Sequence, residues 1–376
     1  MSKRHNGEGN VRQRPNGTWE ARLSYIDPLT DKRRRVSIYG ATADAVHDEL
    51  KTARGRIDAA EPVKDSVQRF GDYLAHWLDS ALEASSRKQS TKVLYRNLSK
   101  HLTPLQAKPL AKIRKTDIDG LIVGLRKKGL SDSTVRSVYT VLRAVLEDAK
   151  DDGMVAVNMA AKVKRPGIAR REAKHLTVAD VTAVLAASEG LRYSPVLKLI
   201  AATGLRRGEA IGLHWHDVNL DAGELKVRHT LGRVGTELLV TEPKTARSRR
   251  TIPLSPPVVK LLKAQKAAQA ADKLKAGNQW TDSGLVFTNE LGGPVDPRNA
   301  LRTIELASKK AKVDGVGIHT LRHSAAVAWL EQGVHIKAVA DLLGHGSIAV
   351  TGDIYGHSSD ETTKAAIDGL SSQLGL

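Results

Sequence analysis

Residues 343–357 read LGHGSIAVTGDIYGH, which places His345, Tyr355 and His357 in one short segment of a chain that is only 4% aromatic. Tyr355 is either another half-buried aromatic or a phenol set up for chemistry. A phenol titrates near 10, so holding the phenolate at neutral pH costs roughly 4 kcal/mol. Neighbouring cations or a base must supply that, and the C-terminal half offers both. TGLRRGE (203–209) carries Arg206 and Glu209, EPKTARSRRTIPL (242–254) carries Lys244, and HTLRHS (319–324) carries His319, Arg322 and His323. Taken singly each is weak. Arg206 and Glu209 at i, i+3 make an ordinary helix ion pair, and Lys244 starts what reads as a solvated basic hairpin.

Together the clusters suit transfer of a phosphodiester. Arg206 and Arg322 can hydrogen-bond the non-bridging oxygens in bidentate fashion and neutralise charge that builds in a pentavalent transition state. Lys244 can protonate a departing 5′ oxygen, and His319 can accept the phenol proton or bind a phosphate oxygen. His345 adds a donor. Tyr355 would replace the leaving group and be held as a phosphotyrosine ester.

Composition points to the same partner. The 376 residues include 59 Lys and Arg against 41 Asp and Glu, a formal +18, and such an excess suggests a polyanion, nucleic acid before a membrane surface. The chain has no cysteine, which excludes structural disulfides, thiolate zinc sites and thiol catalysis. No apolar run reaches membrane-span length, and MSKRHNGEGN lacks a signal-peptide core, so a soluble cytoplasmic protein is expected. Gly124–Gly129 imitates a phosphate loop, but Leu130 stands where its Lys would be. Without a nucleotide site, the reaction should be near energy-neutral.

Three folding units are predicted. Residues 1–62 read as three short antiparallel strands, VRQR, WEARLSYI and KRRRVSIY, followed by a helix capped by Thr42 with Val46, Leu50, Ala53 and Ile57 on one face. Arg12, Arg14, Arg22, Lys32, Arg33 and Arg35 make this sheet a candidate DNA-binding ribbon. Residues 63–162 read as all-helical, with an apolar stripe from Val67 and Phe70 through Trp77, N-caps at Thr116 and Ser131, and stops at Gly129 and Gly153. A basic linker, 163–174, carries Lys164, Arg165, Arg170 and Arg171, a further candidate DNA contact. Residues 175–376 read as mixed α+β and mainly helical, with strands at GELKVRH, ELLVTEP, RRTIPL and GLVFTN, and an Ala/Lys-rich surface helix at 260–276.

Arg206, Lys244, His319, Arg322, His345 and Tyr355, in that order and approximate spacing, resemble the catalytic set of the tyrosine recombinases of the phage-integrase type. The likeness spans about 175–360 and includes GLHWHDVNL, LVFTNELGGPV and GVHIKAVADLLGH. More loosely, 63–160 is similar to the family's core-binding domain, which with the catalytic domain closes a C-shaped clamp, and the N-terminal unit resembles the arm-binding module. VNMA replaces the usual Asn-Pro, which predicts a less rigid end to the helical unit. The resemblance implies cleavage through a 3′-phosphotyrosine and a free 5′-hydroxyl, a Holliday intermediate, four protomers on double-stranded attachment sites, and neither cofactor, metal nor ATP. Glu209 would buttress Arg206. A host DNA-bending factor, an excisionase and a nucleoid location in a bacterial cell are expected alongside, with no membrane partner. Competing readings are a chromosome-dimer resolvase of the Xer type, a non-catalytic DNA-binding regulator on the same fold, a type IB topoisomerase, and a metal nuclease on His319 and His323. The last lacks the Glu of an H-E-x-x-H helix. The basic module before residue 62 favours an integrase over a resolvase.

Overall fold

The computed structural model describes residues 10–26, 33–58, 68–169, 175–242 and 248–345, with Gly352, Asp368 and Ser371. The chain divides into two compact units, Met1–Arg170 and Arg171–Leu376.

The first unit opens with β1 (Asn10–Gln13), β2 (Trp19–Ile26) and β3 (Arg33–Gly40), an antiparallel sheet in sequence order. Side chains alternate between its faces. Ala21, Leu23, Val36 and Ile38 turn to one side and are buried with Val46, Leu50 and Ala53 of α1 (Ala43–Asp58). Thr42 Oγ1 accepts the Ala45 N–H at 3.2 Å and caps that helix as expected. On the other face the register sets Arg12 and Tyr39 opposite Glu20. The Glu20 carboxylate is 1% exposed and accepts from Arg12 Nη2 and Arg22 Nε, both at 2.8 Å, while Arg14 lies 4.0 Å away.

A helical core follows, built from α2 (Phe70–Asp79), α3 (Ala81–Ala84), α4 (Gln89–Ser99), α5 (Thr103–Gln106), α6 (Lys115–Lys127) and α7 (Asp132–Asp151). Its stripe positions Phe70, Leu74 and Trp77 are buried with Leu142, Val145 and Leu146 of α7, each large side chain contributing about 1.5–3 kcal/mol. Val67 lies outside the described residues. Ser131 Oγ caps α7 as expected, accepting the Thr134 N–H at 3.3 Å. Thr116 does not cap α6. The cap lies two residues earlier, at Arg114, because the Asp117 carboxylate accepts the Arg114 N–H at 2.9 Å and closes the first turn ahead of the Thr116 hydroxyl. Asn158 is buried and ties the end of this unit. Its Nδ2 donates to Arg143 O (3.0 Å) and Glu147 Oε2 (2.6 Å), and its Oδ1 accepts the Ala160 N–H. These bonds fix the segment that VNMA, lacking proline, led us to expect loose.

The second unit contains α8 (Val178–Ala187), α9 (Ser194–Thr203), α10 (Arg207–Ile211), β4 (Val218–Asn219), β5 (Glu224–Val227), β6 (Thr230–Val234), β7 (Glu237–Thr241), β8 (Arg250–Pro253), α11 (Pro256–Ala276), α12 (Pro297–Ala311), α13 (Ile318–Glu331) and α14 (Ile336–Leu343). Strands β4, β5 and β8 form one antiparallel sheet in that order, and β6 with β7 forms a hairpin turned at Gly235, whose φ is +62°. Leu197 and Ile200 of α9, Ile304 of α12 and Leu321 of α13 share the core. GLVFTN is not a strand. Among the described residues it makes isolated bridges alone, His214 to Leu285 and Thr288 to Pro294. Leu285, Val286 and Phe287 are all buried, and glutamines of α11 replace a strand partner: Gln269 Nε2 donates to Leu285 O at 2.8 Å and Gln265 Nε2 to Val286 O at 3.1 Å.

Hydrogen bonds from Arg22 and Arg12 hold the Glu20 carboxyl down to about 2 from 4.5. A carboxyl with a depressed folded pKa contributes stability above its unfolded value and loses it as pH falls toward the folded one. Hydrogen exchange of β2 amides, corrected for intrinsic rates, should therefore rise as pH falls from about 4.5 to about 2. Glu20→Gln should exchange faster at neutral pH and lose that acid-dependent step.

Candidate active site

The site assembles at the C-terminal end of α14. A helix leaves its last carbonyls without intrahelical partners, and they carry the negative end of the dipole. Here Gly344 takes a left-handed conformation (φ +65°) and the His345 N–H returns to Ala340 O at 3.0 Å, which turns the chain sharply. Three successive carbonyls then each receive one guanidinium. Arg250 Nε donates to Leu342 O (2.6 Å), Arg322 Nη2 to Leu343 O (2.7 Å) and Arg206 Nη2 to Gly344 O (3.1 Å). These arginines come from β8, α13 and the residue that precedes α10.

Glu209 locks two of them. Its Oε1 accepts Arg206 Nη1 at 2.7 Å and its Oε2 accepts Arg250 Nη2 at 2.9 Å, with the Arg206 backbone N–H at 3.0 Å. The carboxylate is 4% exposed and the Arg250 side chain 7%. Burial alone would raise the Glu209 pKa, but hydrogen bonding and charge from Arg250, then Arg206, outweigh it and hold the carboxyl below its usual range. Arg322, 5% exposed, also donates to Gly204 O at 2.5 Å. Gly204 has φ +64°, and a Cβ there would lie 2.8 Å from Leu343 Cδ2, so only glycine lets α9 end this close to α14. Within α13, Ser324 Oγ accepts the Leu176 N–H at 2.9 Å, which fixes the chain just before α8.

The histidines are held neutral. Desolvation first, then Arg322 and Arg206, push His345 down to about 4. His319, at the start of α13, is lowered by desolvation and then by Arg207, Arg322 and Arg206; His323 is lowered by desolvation and then Arg322. A neutral imidazole among guanidiniums can accept a proton or donate one N–H.

The structure thus brings Arg206, Glu209, Arg322 and His345 together, with His319 in the field of the same cations. Lys244 and Tyr355 lie outside the described residues, as do Lys32, Arg170 and Arg171. Arg12, Arg14 and Arg22 surround Glu20, Arg33 and Arg35 are exposed on β3, and Lys164 and Arg165 are exposed after the helical core. Arg250 escaped the sequence reading, because ARSRR looks like a solvated basic run. Its signal was strand alternation, since Arg250 sits two residues from the buried Ile252 and so shares its face.

Residues 174–362 match the Phage integrase family. A XerC-like tyrosine recombinase of Caldanaerobacter subterraneus subsp. tengcongensis is 30% identical over 358 residues, covering 89% of this chain and 91% of the relative. The ICEBs1 integrase of Bacillus subtilis is 25% identical over 369 residues, covering 96% and 98%. Among solved structures, the Tn1549 transposon integrase in complex with a circular intermediate DNA aligns with a TM-score of 0.65 at 20% identity, covering 81% of this chain and 99% of that one. The chain belongs to the phage integrase family and is a site-specific tyrosine recombinase.

Proposed function

We propose that this recombinase integrates a mobile element at double-stranded attachment sites, and with partner factors excises it, using Tyr355 as nucleophile. The observation that carries the assignment is the convergence of Arg206, Arg322 and Arg250 on consecutive carbonyls beside His345. Three guanidiniums against the one carboxylate of Glu209 leave the cluster with a positive surplus while the neighbouring histidines are neutral, and Arg207 beside His319 and the proposed Lys244 add to it. A phosphodiester under attack by a phenolate approaches about −2 in its pentavalent transition state, so the site matches the transition state better than the singly charged ground state.

In this reading His319 takes the phenol proton, Tyr355 attacks the phosphorus, and Arg206, Arg322 and His345 bind the non-bridging oxygens. Lys244 protonates the 5′ oxygen as its bond to phosphorus breaks. The phosphotyrosine ester conserves the energy of the broken bond, so the 5′-hydroxyl of a second duplex reverses the step without ATP. Exchanging four strands takes four nucleophiles, which supports a homotetramer on DNA. The N-terminal sheet, with Arg12, Arg14, Arg22, Lys32, Arg33 and Arg35, is assigned to a second set of DNA sites, and Lys164, Arg165, Arg170 and Arg171 to the backbone near the crossover. The ICEBs1 likeness, which runs through almost the whole chain, supports integration over chromosome-dimer resolution. A DNA-bending host factor, an excisionase, and action at the bacterial nucleoid in the cytoplasm complete the proposal.

The test is a supercoiled plasmid carrying the DNA that flanks the gene, incubated in excess EDTA without ATP. Wild type should form a 3′-linked adduct at one defined position, and Tyr355→Phe should footprint equally well and form none; an adduct with Tyr355→Phe would reject the nucleophile. Lys244→Ala should bind normally and cleave about 10²–10⁴-fold slower, with a 5′-thiolate leaving group restoring the rate. Arg250→Met removes one of the two cations that hold Glu209, and the resulting drift of Arg206 should slow single-turnover cleavage by about 10²-fold at unchanged DNA affinity. Equal loss of affinity and rate would instead mean that Arg250 binds DNA directly.

A further inference from the structure

GLHWHDVNL holds a second polar cluster that the recombination chemistry does not use. His214 leads into a short 3₁₀ turn, Trp215–Asp217, and His229 stands between β5 and β6. The side chains converge although the two histidines come from different elements. The candidate ligand atoms of His214, Asp217 and His229 all lie within 4.8 Å of one another. The rings of His214 and His229 are 4.7 Å apart, and His216 adds a third imidazole 5.1 Å from His214.

We propose that His214, Asp217 and His229 bind a single divalent transition-metal ion of the Zn²⁺ class, with His216 at the open side. Ligands about 2.0–2.2 Å from a tetrahedral ion lie about 3.3–3.6 Å from each other. Of the proposed ligands, Asp217 Oδ2 and His229 Nδ1 are 3.3 Å apart, a hydrogen-bonded pair that is already at that spacing, and His216 Nε2 lies 3.5 Å from the same oxygen on the open side. Three further observations single the cluster out. The Asp217 carboxylate is 1% exposed, and its Oδ1 accepts no hydrogen bond; Arg228 Nε stands 3.5 Å away on a side chain that is 57% exposed and can withdraw. A buried oxygen left so is costly in an ordinary surface turn. His214 Nδ1 is 3.1 Å from Gly212 O, the backbone partner that orients a metal-binding imidazole and presents Nε2. The donor set of imidazole and carboxylate suits Zn²⁺, Co²⁺ or Ni²⁺ rather than Mg²⁺ or Ca²⁺.

The ion is a staple and not a catalyst. β6 lies flush on α10: a Cβ on Gly208 would meet Thr230 Oγ1 at 2.5 Å, and one on Gly212 would meet Leu231 N at 2.7 Å. A metal joining His229 to the 214–217 turn therefore fixes the start of the hairpin against the helix that Arg206 precedes. His229 also shares a cleft with Arg249 and Arg250.

The full-length chain, stripped with chelator, is titrated with Zn²⁺ against a chromophoric competitor, and hydrogen exchange is followed with and without the ion. Wild type should take up a single tightly held Zn²⁺, show the visible bands of tetrahedral Co²⁺ when Co²⁺ replaces it, and gain protection in residues 213–231. His214→Ala/His229→Ala should weaken uptake by about 100-fold or more and abolish the protection. His214→Gln, which keeps size and polarity, guards against misfolding, and circular dichroism melts in chelator should match wild type. Uptake that is weak and spread over several sites, or equally tight in both variants, or without protection at 213–231, would overturn the site. Strand cleavage in excess chelator should persist, so its loss would count against the metal-free reaction and not against this site.

Discussion

The last turn of α14 ends in carbonyls that no helix can satisfy by itself, and this constraint organises the catalytic unit. Leu342, Leu343 and Gly344 each need a donor, and each receives a guanidinium from a different part of the chain. A guanidinium suits the task because it donates in a rigid plane and stays charged when partly desolvated. A lysine in the same place would make one such contact and lose its charge more easily on burial. The site therefore forms only when the end of α9, the start of α10, β8, α13 and α14 are docked together, so folding of the unit and assembly of the site are one event.

Glu209 decides how those cations behave. Burying a carboxylate is expensive unless it is paired and fully hydrogen-bonded. Arg206, its backbone N–H and Arg250 supply that, and the result is a fixed anchor that holds two mutually repelling guanidiniums together at a set spacing. Carbonyl dipoles hold an arginine without cancelling its charge, whereas a carboxylate cancels one unit. The combination leaves a positive surplus oriented by the fold itself, which is what the proposed phosphoryl transfer would use.

Much of this was legible in the sequence. The β-alternation of WEARLSYI, the helical stripe at Val46, Leu50 and Ala53, and the pairing of His319 with Arg322 on one turn are local patterns, and local patterns survive folding. The spacing of TGLRRGE, HTLRH and LGH carried the family. Arg250 was not legible, because its role depends on carbonyls more than ninety positions away, and a basic run looks the same whether it is solvated or buried. GLVFTN misled for a related reason: three buried apolar residues in a row suit a central strand, and nothing local says that glutamines from α11 will satisfy their carbonyls. His214 and His229 likewise belong to separate elements, and only the fold brings them within reach.

The same device recurs at the N-terminal sheet. Glu20 sits under Arg12 and Arg22 as Glu209 sits under Arg206 and Arg250, a nearly inaccessible carboxylate beneath arginines. A phosphate that approaches from solvent meets guanidiniums whose planes are already fixed, so it is spared much of the rotamer entropy that free arginines would lose on binding. It cannot displace the carboxylate, which is reached only through the protein. The difference lies in the surroundings. Around Glu20 the arginine side chains stay 41–54% exposed, as the proposed reversible contacts to a DNA backbone would require. Around Glu209 the Arg250 side chain is only 7% exposed and Arg206 36%, and both also donate to carbonyls at the end of α14, so the pair is held from two sides rather than one.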